Sequence, residues 1–231
     1  QKTAIINQAV TKGLDPDVPM KDSGIEWLGE IPKKWDVRYL FQVAEAQQIS
    51  NRNIQHQNLL SLSYGKIVRR DIETTDGLLP ASFDTYQVVY EGNIILRLTD
   101  LQNDQNSLRV GYVTETGIIT SAYVCLKLRQ DTIPKYYYYL LHSLDSVKLF
   151  YGMGGGVRQS LNYKGISKIE VTLPPIQDQQ QVVDYLDNQV SKIDPLIAQT
   201  KEKIKTVEEF RISLVSSVVT GQLDVREVSL Y

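Results

Sequence analysis

The 231-residue sequence contains one cysteine and two histidines. Cys125 lies in the apolar run TSAYVCLKL, so neither a disulfide framework nor a cysteine-based zinc site is available, and a buried, inert thiol is expected. His56 and His142 are distant in sequence and stand beside no cysteine or carboxylate pattern with metal-ligand spacing. Each reads as an ordinary surface or satisfied histidine, and no metal or cofactor is expected. Apolar runs long enough to span a bilayer are also missing, and the opening QKTAIINQAV lacks the charged, apolar and small-residue regions of a secretory signal. A soluble, cytoplasmic protein with no membrane contact is the expectation. Catalytic signatures are equally scarce. The stretch GMGGGVRQS lacks the GK[ST] ending of a nucleotide loop, and the carboxylates form no PD…ExK-like nuclease arrangement. TLPPIQ superficially matches the proline pair of adenine methyltransferases, but Leu173 stands where an Asn or Asp would hold the amino group. No catalytic residue is assigned. An excess of one charge is missing too: 25 Lys+Arg face 27 Asp+Glu, for a net charge of −2 and a pI near 5.8. Nucleic-acid-binding chains usually carry a basic footprint, so any such surface here has to be local.

What is present divides the chain into segments. Residues 21–176 alternate short apolar or β-branched runs with turn chemistry, as in VVYEGNIILRLTD, VGYVTETGIITSAYVCLKL and ISKIEVTLP, which predicts a β-rich α+β domain with a few helices. Arg97 stands between Leu96 and Leu98 and so faces away from them, paired with Asp100 or another acid in a structural role. IPKYYYYLLHSLDSVKLF predicts a helix from about Pro134, with Tyr137, Leu140, Leu141, Leu144 and Val147 on one stripe. Tyr136 to Tyr139 are expected to be partly core, because a helix cannot turn four consecutive residues to one face. After Pro174 and Pro175 the pattern becomes a long amphipathic helix over 177–231. Val183, Leu186, Val190, Ile193, Ile197, Thr200, Ile204, Val207, Arg211, Leu214 and Val218 follow the alternating spacing of a coiled-coil seam. Asp194 and Pro195 predict a break, with one helix to about Ile193 and a second from Pro195 to near Gly221. At about 1.5 Å per residue the second helix would reach roughly 40 Å, too long for its own domain to cover. The seam therefore calls for a partner helix. The two ends of the chain also match: KTAIINQAVTKGLD, residues 2–15, aligns without gaps to RISLVSSVVTGQLD, residues 211–224. Such a match on either side of a domain is what a tandem repeat of domain plus helix produces. The expected division is 1–20, the end of a preceding helix with its linker; 21–176, a globular domain; and 177–231, a helical spacer.

MKDSGIEWLGEIPKKW, NIILRLTDLQND with GIITSAYVCLKL, YGMGGGVRQSLNYKGISKIEVTLPPIQDQQQVVDYLD and SLVSSVVTGQLD resemble type I restriction-modification specificity subunits over essentially the whole chain. The order of segments is similar to the C-terminal half of such a subunit. The resemblance implies one target recognition domain that reads half of a bipartite double-stranded DNA site, and a conserved helix that acts as a spacer in an antiparallel coiled coil. It implies as partners the methyltransferase (modification) subunits, through them the restriction subunit, and either the other half of the subunit or a second copy. It also implies that catalysis belongs to the partners. A helical assembly module that binds partners without reading DNA is the alternative.

The resemblance implies that the glycine-rich segment approaches DNA. Gly154, Gly155 and Gly156 let backbone come close to a phosphate or groove wall. Arg158 has the chemistry for guanine O6 and N7, Gln159 and Asn162 for adenine N6 and N7, while Ser160 and Lys164 suit phosphates and Tyr163 lies among them. Around residues 148–168, Lys148, Arg158, Lys164 and Lys168 occur with no acid among them, which supplies the local basic surface. A second candidate is SYGKIVRR, where Tyr64, Lys66, Arg69 and Arg70 could neutralise phosphates and position the domain. For helix pairing the candidates are Val190, Ile193, Ile197, Ile204, Val207, Leu214 and Val218.

Overall fold

A computed structural model describes residues 1–71, 82–102, 104, 107–153 and 160–222. It forms two compact units, 1–186 and 187–231. In the first, helix α1 (Lys2–Lys12) precedes strands β1 (Met20–Asp22), β2 (Glu30–Pro32) and β3 (Asp36–Tyr39), the one-turn helix α2 (Leu40–Val43) and strand β4 (Ala44–Gln47). Strands β5 (Leu60–Ser63), β6 (Lys66–Arg69), β7 (Gln87–Val89), β8 (Ile94–Leu96), β9 (Val110–Tyr112), β10 (Gly117–Ile119) and β11 (Val124–Leu128) follow. Helix α3 (Pro134–Ser146), the one-turn helix α4 (Tyr163–Ile166), strand β12 (Glu170–Leu173) and helix α5 (Ile176–Val219) complete the order. The architecture is α+β.

The main sheet has the order β4-β11-β8-β9, with every neighbouring pair antiparallel. Ile94, Ile95 and Leu96 of β8 are all buried, as expected for a strand with neighbours on both edges and packing on both faces. Because side chains alternate across a strand, Ile95 shares a face with its register partner Cys125. That face meets Leu60, Leu62, Val89, Val113 and Ile119 in one cluster. Cys125 is buried as its sequence context implied, and desolvation pushes its thiol up to about 12. Close packing selects glycine at 117: a Cβ there would lie 2.6 Å from the Asn58 carbonyl oxygen and 2.7 Å from Leu60.

Helix α3 starts at Pro134 as its proline predicts, but its burial is wider than one stripe. Tyr136, Tyr137 and Tyr139 are buried together with Leu140, Leu141 and Leu144, because α1, β9 and β12 pack around the helix. Val147, placed on the expected stripe, lies one residue past the helix and is exposed. The Tyr136 hydroxyl donates to the Val10 carbonyl at 2.9 Å and pairs with the Thr172 hydroxyl at 2.7 Å, so α1, α3 and β12 meet at one buried polar point. Trp35, 1% exposed, packs edge-on against Tyr136 and donates from Nε1 to Asp178 at 2.8 Å. Buried Gln179 accepts from the Ile133 N–H and donates to the Pro174 carbonyl, which fixes the first turn of α5 against the start of α3.

Pro174 and Pro175 separate β12 from α5, as expected. The expected break at Pro195 does not occur: α5 runs from Ile176 to Val219 with Pro195 inside it. Proline's φ suits a helix, and its missing N–H and ring clash cost about 3 kcal/mol locally. The cooperative hydrogen bonding on both sides of this position carries the helix across. Gly221, with φ 73°, then ends it, its N–H donating to the Val218 carbonyl at 3.1 Å. Among the described residues no helix is long and apolar enough to cross a membrane.

Candidate nucleic-acid interface

Strands β5 and β6 form a hairpin whose turn residues Tyr64 and Gly65 both have positive φ, 46° and 77°, the conformation that matches the twist of the flanking strands. The turn thrusts Tyr64 outward to 77% exposure. Lys66 and Arg70 are exposed nearby. Arg69 is held across the surface by Glu115: its Nε donates to both carboxylate oxygens at 2.7 and 2.9 Å, and Nη2 also reaches Oε2. This shared hydrogen bonding raises the Arg69 pKa and lowers that of Glu115. Sequence proximity grouped Arg69 with Lys66 and Arg70 but could not show this cross-strand acid, which comes from the turn before β10.

In the second candidate segment, Gly154, Gly155, Gly156, Arg158 and Gln159 lie outside the described residues. The flanks are described. Lys148, with φ 64°, starts a 3₁₀ turn over Leu149–Gly152, in which Phe150 is fully buried and anchors the chain. Ser160 and Lys164 are exposed. The Asn162 side chain accepts from the Gly165 N–H at 3.1 Å, capping α4, so its Oδ1 is occupied by the fold while its side-chain N–H₂ group lies on an exposed residue. Tyr163 turns inward and donates from its hydroxyl to the Ala44 carbonyl at 2.9 Å. Of the four candidates at this end, Ser160, Asn162 and Lys164 are exposed, whereas the Tyr163 hydroxyl is engaged by the Ala44 carbonyl.

Residues 107–110 join the two segments. A Cβ on Gly65 would lie 3.0 Å from the Leu108 Cβ, so the hairpin turn rests against Leu108. The next residue, Arg109, is fully buried. Its Nη1 donates to the Arg97 and Thr99 carbonyls at 3.2 and 2.8 Å, and its Nη2 donates to those of Asp100, at 3.2 Å, and Asp104. Its Nε donates to the Tyr151 hydroxyl at 2.9 Å, and that hydroxyl donates to the Asp104 carbonyl at 3.2 Å. Arg109 was not among the candidates read from the sequence, and residues 99–104 entered there only through Asp100 and the stretch NIILRLTDLQND. The available signal was an arginine at the entry to the apolar run VGYV. Arg97 pairs with Asp104 at 3.7 Å, an internal acid partner of the kind expected for it.

Beside this hub, Asp145 of α3 is fully buried and accepts the Arg109 backbone N–H at 2.7 Å. Desolvation is the largest cause of its raised pKa, opposed by that hydrogen bond and by the charges of Lys148 and Arg109. A folded-state pKa above the unfolded value means that the folded chain holds the proton more tightly. Asp145 therefore contributes stability that is complete below the unfolded value and is lost as pH rises through the folded one. Asp145→Asn is expected to remove this part of the pH dependence. Thermal melts of wild type and variant across pH 4–8 should differ in slope, with wild type gaining relative stability on acidification; parallel curves would contradict the assignment.

These features define a class: an α+β domain with local basic turns, continued into an amphipathic helix with exposed apolar side chains. Residues 32–206 match the type I restriction modification DNA specificity domain, and the chain belongs to that family. The protein named as a type I restriction enzyme MjaX specificity subunit of Methanocaldococcus jannaschii is 22% identical over 97% of this chain and 51% of its own length. The chain thus spans about half the length of that curated relative. Two solved structures share the fold. One, described as the structural basis of complex assembly and conformational transition of the type I R-M system, is 12% identical with a TM-score of 0.61, over 94% of this chain and 50% of the other. The HsdS subunit from Thermoanaerobacter tengcongensis is 14% identical with a TM-score of 0.51, over 96% of this chain and 50% of the other.

Proposed function

We propose that this chain reads one half of a bipartite double-stranded DNA target in the cytoplasm, as part of the specificity subunit that directs type I methyltransferase subunits, and through them the restriction subunit, to DNA. The observation that carries the reading is the specificity-domain match, which runs through the β-rich domain and well into α5. Lys66, Arg70, Lys148 and Lys164 are exposed around the two candidate segments and supply the local positive surface that the net charge of −2 conceals. Gly154, Gly155, Gly156, Arg158 and Gln159 remain the readers proposed from sequence. Selection from random duplexes should enrich one sequence class, with affinity that falls as salt rises. Arg158→Ala with Gln159→Ala should relax the preference at specific base positions. Unchanged affinity and site choice would favour the assembly-only alternative.

The helix supports the second half of the reading. Val183 and Leu186 of the seam are buried in the domain, whereas Ile197, Ile204, Val207 and Leu214 are exposed at 41, 53, 66 and 42%, with Val190, Ile193 and Val218 intermediate. In the proposed assembly these residues pair antiparallel with the other half of the subunit or with a second copy, and the helix forms the spacer between recognition domains. Two copies related by a two-fold axis would read a spaced palindrome.

The terminal repeat supports the same picture. Ile6, Ala9, Val10 and Thr11 of α1 are buried against the domain, and the repeat aligns them with Val215, Val218, Val219 and Thr220, of which Val215 and Val219 are 56 and 80% exposed. Even the local bonding matches: Thr11 Oγ1 donates to the Asn7 carbonyl at 2.7 Å and Thr220 Oγ1 to the Ser216 carbonyl at 2.8 Å. The later copy carries the same docking face without the domain that covers the first.

A further inference from the structure

Residues 46–70 contain no acidic side chain, although acids outnumber bases over the whole chain, and Arg52, Lys66, Arg69 and Arg70 lie within this stretch. Its second half is the β5–β6 hairpin. Its first half holds a loop, residues 52–57, between β4 and β5. Arg52, Asn53, Ile54, Gln55 and Gln57 are all exposed, and all but Ile54 carry the guanidinium or amide groups that read base edges.

The loop is pinned at both ends. At its start Asn51 is 1% exposed, and its side chain accepts from the His56 N–H and donates to the His56 carbonyl, each at 3.0 Å. The Asn51 backbone accepts the Ile54 N–H at 3.1 Å and donates to the Tyr86 carbonyl at 2.8 Å. At the other end the Asn58 side chain donates to the Glu115 carboxylate at 3.1 Å and to the Thr116 carbonyl at 2.8 Å. That carboxylate also holds Arg69, so loop and hairpin share one brace. Under the loop, Leu59 packs with Val88 and Ile118. The tip is strained: Asn53 has φ 61° and Ile54 φ 49°. Asparagine tolerates this left-handed region, whereas a β-branched residue there is an outlier. Ile54 gains no burial in exchange, being 43% exposed. Such strain persists only where the surroundings over-determine the backbone, and it gathers at binding sites.

A loop held at its base, strained at its tip and carrying amides without acids presents side chains outward to an electron-rich partner. We propose that residues 52–57 form a DNA-reading loop, in which Asn53 and Gln55 read adenines, Ile54 between them meets a thymine methyl, and Arg52 and the neighbouring Arg70 contact phosphates. A side-chain amide has the donor and acceptor pair that matches adenine N7 and N6 in the major groove, and the thymine methyl takes apolar contacts. Arg70 stands beside the end of the loop, its N–H donating to the Leu59 carbonyl at 2.8 Å. The proposal rests on the DNA-reading function above and adds to it a site of which only Arg70 was a candidate from sequence.

Selection from random duplexes, with affinities measured over a salt series, tests it in the full chain. Gln55→Ala and Asn53→Gly each remove one amide, and glycine keeps the positive φ at position 53. Each should cut the ratio of specific to non-specific affinity roughly tenfold, the scale of one lost base contact, at an unchanged salt slope. Ile54→Gly removes the strain and the methyl contact together, so the melting temperature should hold or rise while preference for one A·T pair relaxes. Arg70→Ala should weaken specific and non-specific binding alike and reduce the salt slope by about 1. A selective wild type whose Asn53, Ile54 and Gln55 variants choose the same sites with the same ratio would overturn the loop and leave DNA reading intact. Specific and non-specific affinities falling by one factor in the Asn53 and Gln55 variants would overturn base reading by this loop. A lowered melting temperature in Ile54→Gly with unchanged site choice would make its strain a matter of folding and overturn its contact. A wild-type chain without selectivity would overturn the loop together with the function it rests on.

Discussion

Ile204→Asp combined with Val207→Asp is expected to weaken pairing of the long helix at least about 100-fold. Both side chains lie on the seam and are exposed at 53 and 66% in the chain by itself. Fully burying a side chain of this size contributes roughly 1.5–3 kcal/mol. A tenfold change in dissociation constant corresponds to about 1.4 kcal/mol, so losing two such burials exceeds two orders of magnitude before the cost of placing carboxylates in an apolar interface is added. Sedimentation equilibrium on the chain alone reads the second-copy assembly, and capture of methyltransferase subunits reads the complete one. The globular unit ends at residue 186, so its melting temperature should remain within about 2 °C of wild type. A variant that associates as tightly as wild type would remove this seam from the interface.

The long helix shows where sequence periodicity works and where it stops. Spacing alone placed Ile197, Ile204, Val207 and Leu214 on one stripe, and these side chains do stand exposed in a continuous helix. Periodicity cannot say which part of a stripe a domain covers. Val183 and Leu186 repeat the same spacing yet belong to the core. Nor did the seam include Phe210 and Ile212, each 66% exposed, because they fall off its a and d positions. Pro195 misled because a local breaker was weighed without the cooperative helix on either side of it. In α3 the reverse holds: a stripe was expected, and burial on most sides followed from neighbours far away in sequence, namely α1, β9 and β12.

The candidate residues were proposed from composition, and composition carries no geometry. Glycines, an exposed aromatic and clustered bases mark the hairpin turn and the 148–164 stretch without reference to the fold. The partners that hold their described residues are non-local. Arg109 meets Tyr151 across 42 residues, and Arg69 meets Glu115 across 46. No window along the chain contains either pair. Asn162 and Tyr163 illustrate a related limit: side chains with the chemistry to contact DNA are partly consumed by a cap and by an inward hydrogen bond.

The terminal repeat offers the sharpest controlled comparison, since one substitution can be made at two aligned positions in opposite environments. Val10 is fully buried, and its carbonyl accepts from the Tyr136 and Thr172 hydroxyls; Val219 is 80% exposed. Val10→Asp places an unpaired carboxylate in the core, where an uncompensated buried charge costs about 3–5 kcal/mol. For a chain of this size each kcal/mol moves the melting temperature by roughly 2–4 °C, so a drop of roughly 6–20 °C is expected. Val219→Asp meets solvent in the unpaired chain and should change stability by no more than about 0.5 kcal/mol. Its effect belongs to assembly. If residues 211–222 dock on a second recognition domain as α1 docks on its own, Val219→Asp weakens association while the melt of the unassociated chain stays fixed. Calorimetry at low concentration and light scattering at high concentration separate the two quantities. Equal loss of melting temperature in both variants would mean that this end is already buried within the chain. Unchanged association in Val219→Asp would leave the repeat as sequence similarity without a shared docking role.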